Sequence, residues 1–385
     1  MRFSVVGNLA QAIVLLQAAH ESAIHELTVG YVTGKLKDRV AESGLPLRLA
    51  SSAEDVLVDA QTDVILVAAS DAQESVYLAR QASQVDCHVV VLPPKDVSTA
   101  FSYELHLLLD ESRRGIIVLS GRWYVEPDNE VTNRRASVRQ LALSLPIPGS
   151  HDASLDHVQL AAIDALCGCG FSYSQVTAID VRAADDVLLS RTITLGASEV
   201  AEAKLPPATL TLTAGQTAEA PAGEIHVALF DGKQGTLRFL APGNSCDSAT
   251  GANGFSPTLP DRLTSALTSP EQCQTAMRQF SHSLELLAGI EKSLRRRRTV
   301  DVHSDAASER GVFKSQMTAI GCGVLTYVTL GMVVYLLIAQ VADLPTWALQ
   351  TARIIWIAPV VIFLLLQLLL PVARSRNSDQ PPANG

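Results

Sequence analysis

The chain has 385 residues, 48% of them hydrophobic, and its 39 Asp and Glu against 30 Lys and Arg give a formal charge of −9. That length has room for two globular domains and further segments, and the acidic balance lacks the basic face by which nucleic acid is held, so no nucleic-acid partner is expected. Of the six cysteines only Cys167 and Cys169 lie close together, and no second pair completes a zinc site, so free thiols and no bound metal are expected.

Taken in chain order, residues 2–7 (RFSVVG) form a short apolar strand ending in Gly. Residues 9–22 have the periodicity of a helix and 25–32 read as a second strand, broken at Thr33-Gly34. A helix to Ala41 and a short strand over 46–49 follow, and Ser51-Ser52-Ala53-Glu54 has the serine cap and first-turn acid of a helix start. Residues 63–69 (DVILVAA) are continuously apolar, as in a strand buried on both faces. A helix over 72–84, a strand over 88–92, a helix over 99–114 and a strand over 115–119 complete the series. Such alternation predicts a Rossmann-like, doubly wound parallel sheet over residues 1–124.

Ligands of such sheets sit beyond the carboxyl ends of the strands. Here those ends carry Gly7, Asn8, Leu9 and Ala10; Thr33 and Lys35; Ala68 and Ser70; and Pro93 with Lys95 two residues on. The first group is the candidate phosphate turn, because glycine there lets backbone N–H groups approach a pyrophosphate at a helix N-terminus. It keeps the first glycine and replaces the others by Leu9 and Ala12. No acid closes the second strand to hold a ribose hydroxyl; Lys35 offers a partner for a 2′-phosphate instead, or is an ordinary surface lysine. The cofactor expected at these positions is NAD or NADP, or one that has been lost.

After Arg122 the pattern changes. Residues 126–154 are polar and irregular and include Pro127, Pro146 and Pro148, a helix is expected over 157–166, and strand-like segments follow at 175–182, 187–195, 208–212, 224–230 and 236–240. Hairpin turns such as Asp231-Gly232 predict an antiparallel sheet. A Gly/Ser/Asn-rich stretch lies between Pro242 and Pro260, and 262–297 is mostly helical.

This order of parts resembles the glucose–fructose oxidoreductase / inositol dehydrogenase family (Gfo/Idh/MocA). The segments that carry the resemblance are SSAEDVLVDAQTDVILVAASDAQESVYLARQASQVDCHVVVLPP (51–94), GRWYVEP (121–127), DGKQGTLRF (231–239) and ELLAGIEKSLRRRRTVDV (285–302). The resemblance implies a Rossmann domain over 1–124 and an α+β domain with an open antiparallel sheet over 125–303. It also implies nicotinamide-dependent oxidation of a sugar or polyol. The family's Glu-Lys-Pro, whose lysine binds substrate and moves a proton, falls on Leu92, Pro93 and Pro94. Lys95 is the nearest replacement. The family's helical Asp and His, four apart, fall on Asp156 and Leu160, with His157 available only in a shifted register. Lys95, His157 and Asp156 are therefore the candidate catalytic groups, and none sits where the resemblance puts a catalyst.

Residues 304–316 read as a linker, and then two runs, 317–341 and 354–373, contain no Asp, Glu, Lys or Arg. Each is long enough to cross a hydrocarbon core as a helix. Arg295, Arg296, Arg297, Arg298, Arg310 and Lys314 precede the first run and Arg374 and Arg376 follow the second. The positive-inside rule then places both termini and the globular part in the cytoplasm, with 374–385 a disordered tail. No secretory signal is expected, because a Gly-Asn break splits the N-terminal apolar stretch. Two functions stay open: a binding or scaffolding descendant that meets a sugar-like molecule, a second copy or a membrane protein, and an active dehydrogenase with relocated catalytic groups. A pore built from the hairpin has little support, since Gln340 and Gln367 are its only strongly polar side chains.

Overall fold

The computed structural model describes residues 1–59, 61–126, 137–148, 152–184, 186–197, 205–215, 222–240 and 258–302, together with Gly331. The expected membrane hairpin, its linker and the tail lie outside these, Gly331 apart. No helix among the described residues is long and apolar enough to cross a membrane.

The first half follows the expected alternation: β1 (Arg2–Gly7), α1 (Ala12–Glu21), β2 (Glu26–Val32), α2 (Gly34–Ser43), β3 (Arg48–Leu49), α3 (Ala53–Leu57), β4 (Val64–Ala68), α4 (Ala72–Gln84), β5 (His88–Val91), α5 (Thr99–Glu111) and β6 (Ile116–Val118). The strands form one parallel sheet in the order β3-β2-β1-β4-β5-β6. Every residue of β4 and β5 is buried, as strands covered on both faces require. The order reverses between β1 and β4, which sets the crevice there as the binding position of such a sheet. Ser52 caps α3 in a reciprocal capping box with Asp55.

A single 3-10 turn, Gly121–Tyr124, leads into β7 (Val138–Pro148) and α6 (Asp152–Gly168). Then come β8 (Gln175–Arg182), β9 (Leu188–Gly196), β10 (Ala208–Gly215), β11 (Ala222–Leu229), β12 (Gln234–Leu240), α7 (Leu259–Leu267), α8 (Pro270–Arg296) and β13 (Val300–Asp301). The second sheet runs β12-β11-β7-β10-β9-β8-β13.

Two expectations are corrected here. The stretch read as irregular holds β7, in the interior of the second sheet. Leu141, Leu143, Leu145 and Ile147 are buried at period two, and the prolines hid that alternation. They are tolerated because, among the described residues, β11 pairs only as far as Leu143 and β10 alone is bonded to β7 at Pro146 and Pro148. The sheet is also mixed rather than antiparallel, since β7 and β10 run parallel with α6 and the β8–β9 hairpin between them in sequence. Helix α6 packs on β7 and β10, and α8 packs on β8. Beneath them Arg191 is paired with Asp180 and donates to Gln159 of α6 at 3.2 Å.

Met1–Ser304 pack as one compact unit. The parallel sheet meets the second half at the 3-10 turn, where Gly121 lies against the backbone of α6: a Cβ there would overlap the carbonyl of Ala161.

Candidate functional site

The carboxyl ends of β1, β4 and β5 are knitted to one another. Gly7 has φ +139°, and a Cβ on it would overlap the carbonyl group of Ala68, so glycine is demanded by the packing of β1 on β4 before any ligand is considered. The amides of Asn8 and Leu9 both donate to that carbonyl at 2.8 Å. The Asn8 side chain then crosses the crevice: its Nδ2 donates to Ser70 Oγ at 3.1 Å and its Oδ1 accepts from the Ser70 amide at 2.9 Å. The Lys95 amide donates to Ser70 O at 3.2 Å and the Thr33 amide to Gly7 O at 3.0 Å.

The positions read from the sequence as a cofactor site are thus brought together, but several are bonded to each other. Leu9, in place of a second glycine, is buried in the core. Ala10 O accepts from Ile13 N at 3.1 Å in the first turn leading into α1. Thr33 starts α2 without a side-chain cap bond, Lys35 is exposed, and Pro93 is buried. A dinucleotide would have to lay its pyrophosphate on turn amides at the β1–β4 crevice. Two of those amides serve Ala68, and the Asn8–Ser70 clasp spans the crevice. The residues present do not fit a dinucleotide as arranged.

The three catalytic candidates meet in part. Lys95 is exposed on the loop after β5, and His157 is on α6 in the second half. Burial first, and then the charge of Lys95, hold the His157 imidazole below its ordinary 6.5. The ring's Nδ1 is buried without a hydrogen-bond partner among the described residues. Asp156 is exposed, one position before His157 on the same helix, and adjacent helical positions point about 100° apart.

Sequence reasoning missed Asp164, the fully buried acid of α6. It is paired with Arg122 of the 3-10 turn and accepts from the Arg122 amide at 2.9 Å, from Ser120 Oγ, and from Ser283 Oγ of α8 at 2.9 Å. Arg122 also donates to Gln279 of α8. Burial alone would raise the Asp164 pKa; the Arg122 charge and these hydrogen bonds outweigh it and hold the carboxyl below its ordinary 3.8. One acid inside the apolar run LAAIDALCG was the available signal. The network ties three segments and leaves no lone pair for a substrate. Nearby, burial and then Asp164 push the Cys167 thiol up to about 12, so it is not a reactive thiolate at neutral pH.

No protein-family model and no curated protein sequence matches this chain. Among solved structures it is similar to a protein of Sinorhizobium meliloti 1021 assigned provisionally as a myo-inositol dehydrogenase, with 11% identity, a TM-score of 0.58, and coverage of 79% of this chain and 100% of that one. It is also similar to apo scyllo-inositol dehydrogenase from Lactobacillus casei (10% identity, TM-score 0.55, 78% and 98% covered). A third is an oxidoreductase from Agrobacterium radiobacter in complex with NAD+, L-tartaric acid and magnesium (12% identity, TM-score 0.52, 78% and 98% covered). The fold is therefore that of Gfo/Idh/MocA-type dehydrogenases.

Proposed function

We propose that this chain is a non-catalytic descendant of the Gfo/Idh/MocA-type oxidoreductases, kept as a binding or scaffolding module. Its hairpin over 317–341 and 354–373 would tether residues 1–303 to the cytoplasmic face of a membrane, where a membrane protein or a second copy is the partner. The observation that carries this reading is the Asn8–Ser70 clasp. It engages the Asn8 side chain with the hydroxyl and amide of Ser70 across the crevice a dinucleotide would enter, and fold does not by itself imply function.

One observation favours a second reading, an NAD(P)-dependent sugar or polyol dehydrogenase with relocated groups. The charge of Lys95 reaches His157, a ring whose Nδ1 has no partner among the described residues, across the junction of the two halves. An imidazole held below its ordinary pKa within the field of a lysine is an arrangement that can pass a proton. The test is turnover of NAD(P)+ with a panel of polyols and sugars by the full chain and by Lys95→Ala. The proposed function expects both to match the enzyme-free blank. Turnover by the natural chain that falls by about a hundredfold or more in Lys95→Ala would instead establish the dehydrogenase.

A further inference from the structure

The arginines Arg2, Arg114, Arg122 and Arg191 are each paired with an aspartate. Arg262 of α7 is half-buried and has no acid within ion-pair distance among the described residues. Its Nη1 donates to the carbonyls of Val125 at 3.0 Å and Trp123 at 3.4 Å. Its Nε and Nη2 have no acceptor among the described residues. The guanidinium lies 5.9 Å from the centre of the Trp123 ring, a cation–π placement that adds attraction but no counter-charge. Burial pulls its pKa below the ordinary 12.5. A partly desolvated charge without a partner is unfavourable, and such groups are normally compensated.

Arg262 lines a cleft of about 370 Å³ with Trp123, Glu271, Gln272, Thr275 and Gln279. This cleft is built from the 3-10 turn, α7 and α8. Its volume lies at the small end of ligand sites, roughly 300–1,000 Å³. The Nε and Nη2 edge of a guanidinium matches the two oxygens of a carboxylate. Glu271 is exposed in the same lining and makes no ion pair with Arg262. It repels a bare anion and accepts from a hydroxyl or ammonium.

We propose that this cleft binds a small hydroxy- or amino-carboxylate, its carboxylate forked on Arg262 and its hydroxyl or ammonium facing Glu271. The site is separate from the strand-end crevice and does not depend on the reading given to that crevice.

Calorimetric titration of the full chain with glycerate tests this, with glycerol as the probe lacking the carboxylate and acetate as the probe lacking the hydroxyl. We expect saturable binding of glycerate, weaker binding of acetate and none of glycerol. Arg262→Gln should weaken glycerate by at least about tenfold, the loss of a charge-assisted pair. Thr275→Glu, on an exposed position, should do the same by placing a second negative charge in the cleft while leaving the Arg262–carbonyl bonds alone. It carries the test if Arg262→Gln does not fold. No saturable heat at millimolar glycerate, or equal affinity in the natural chain and Thr275→Glu, would overturn the site. Equal binding of acetate and glycerate would overturn the role given to Glu271.

Discussion

Gly7 shows how one residue carries two meanings. Read from sequence, it is the first glycine of a phosphate turn. In the fold it holds β1 against Ala68 at φ +139°, and that need exists with or without a nucleotide. A substitution here therefore reports on folding first. Gly7→Ala should cost about 3 kcal/mol from strain and overlap with backbone, seen as a lower urea midpoint for the full chain. An unchanged midpoint would show that β1 and β4 can part without penalty. The glycine was legible because its neighbours read as a strand and a helix. The use of the Asn8 and Leu9 amides was not legible, since it depends on a carbonyl some sixty positions away, at Ala68. The same distance hid the clasp: Asn8 and Ser70 were both named as cofactor positions, but nothing in the sequence says that they bond each other.

At the scale of elements, the junction of the two halves is set by Asp164 on α6, Arg122 on the 3-10 turn and Ser283 on α8. Removing the acid leaves a buried guanidinium without its partner, so Asp164→Asn should cost roughly 3–5 kcal/mol. The sign of the pH dependence follows. The folded carboxyl sits below its ordinary 3.8, so its contribution is complete above that value and is lost as pH falls through the depressed folded pKa. The stability of the natural chain against chemical denaturant should therefore fall with acid below about pH 4 through this group, and Asp164→Asn should lack that component. Parallel acid profiles in the two chains would contradict the assignment. Elements with a strong period were readable: β4, β5 and α4 stand within a residue or two of where the pattern puts them. Strand β7 was not, because Pro146 and Pro148 speak against a strand until one knows that β11 stops pairing at Leu143. Nor can a sequence pattern tell a parallel neighbour from an antiparallel one, which is why the mixed pairing of β7 with β10 went unforeseen.

For the whole molecule, the two halves and their order were visible in the sequence, and the similarity to solved dehydrogenases over 78–79% of the chain agrees with that order. The membrane hairpin rests on hydropathy and flanking charge alone. It makes a direct expectation: the full chain should resist alkaline extraction from membranes, whereas a chain ending at Ser304 should be released. Release of both would remove the tether from the proposed function. If the dehydrogenase fold persists here with its dinucleotide crevice closed by its own side chains, as proposed, calorimetric titration of the full chain with NAD(H) and NADP(H) decides it. The clasp predicts no saturable binding at millimolar nucleotide. Micromolar binding of either nucleotide, displaced by the other, would show that Asn8 and Ser70 part to admit a cofactor and that the crevice is open.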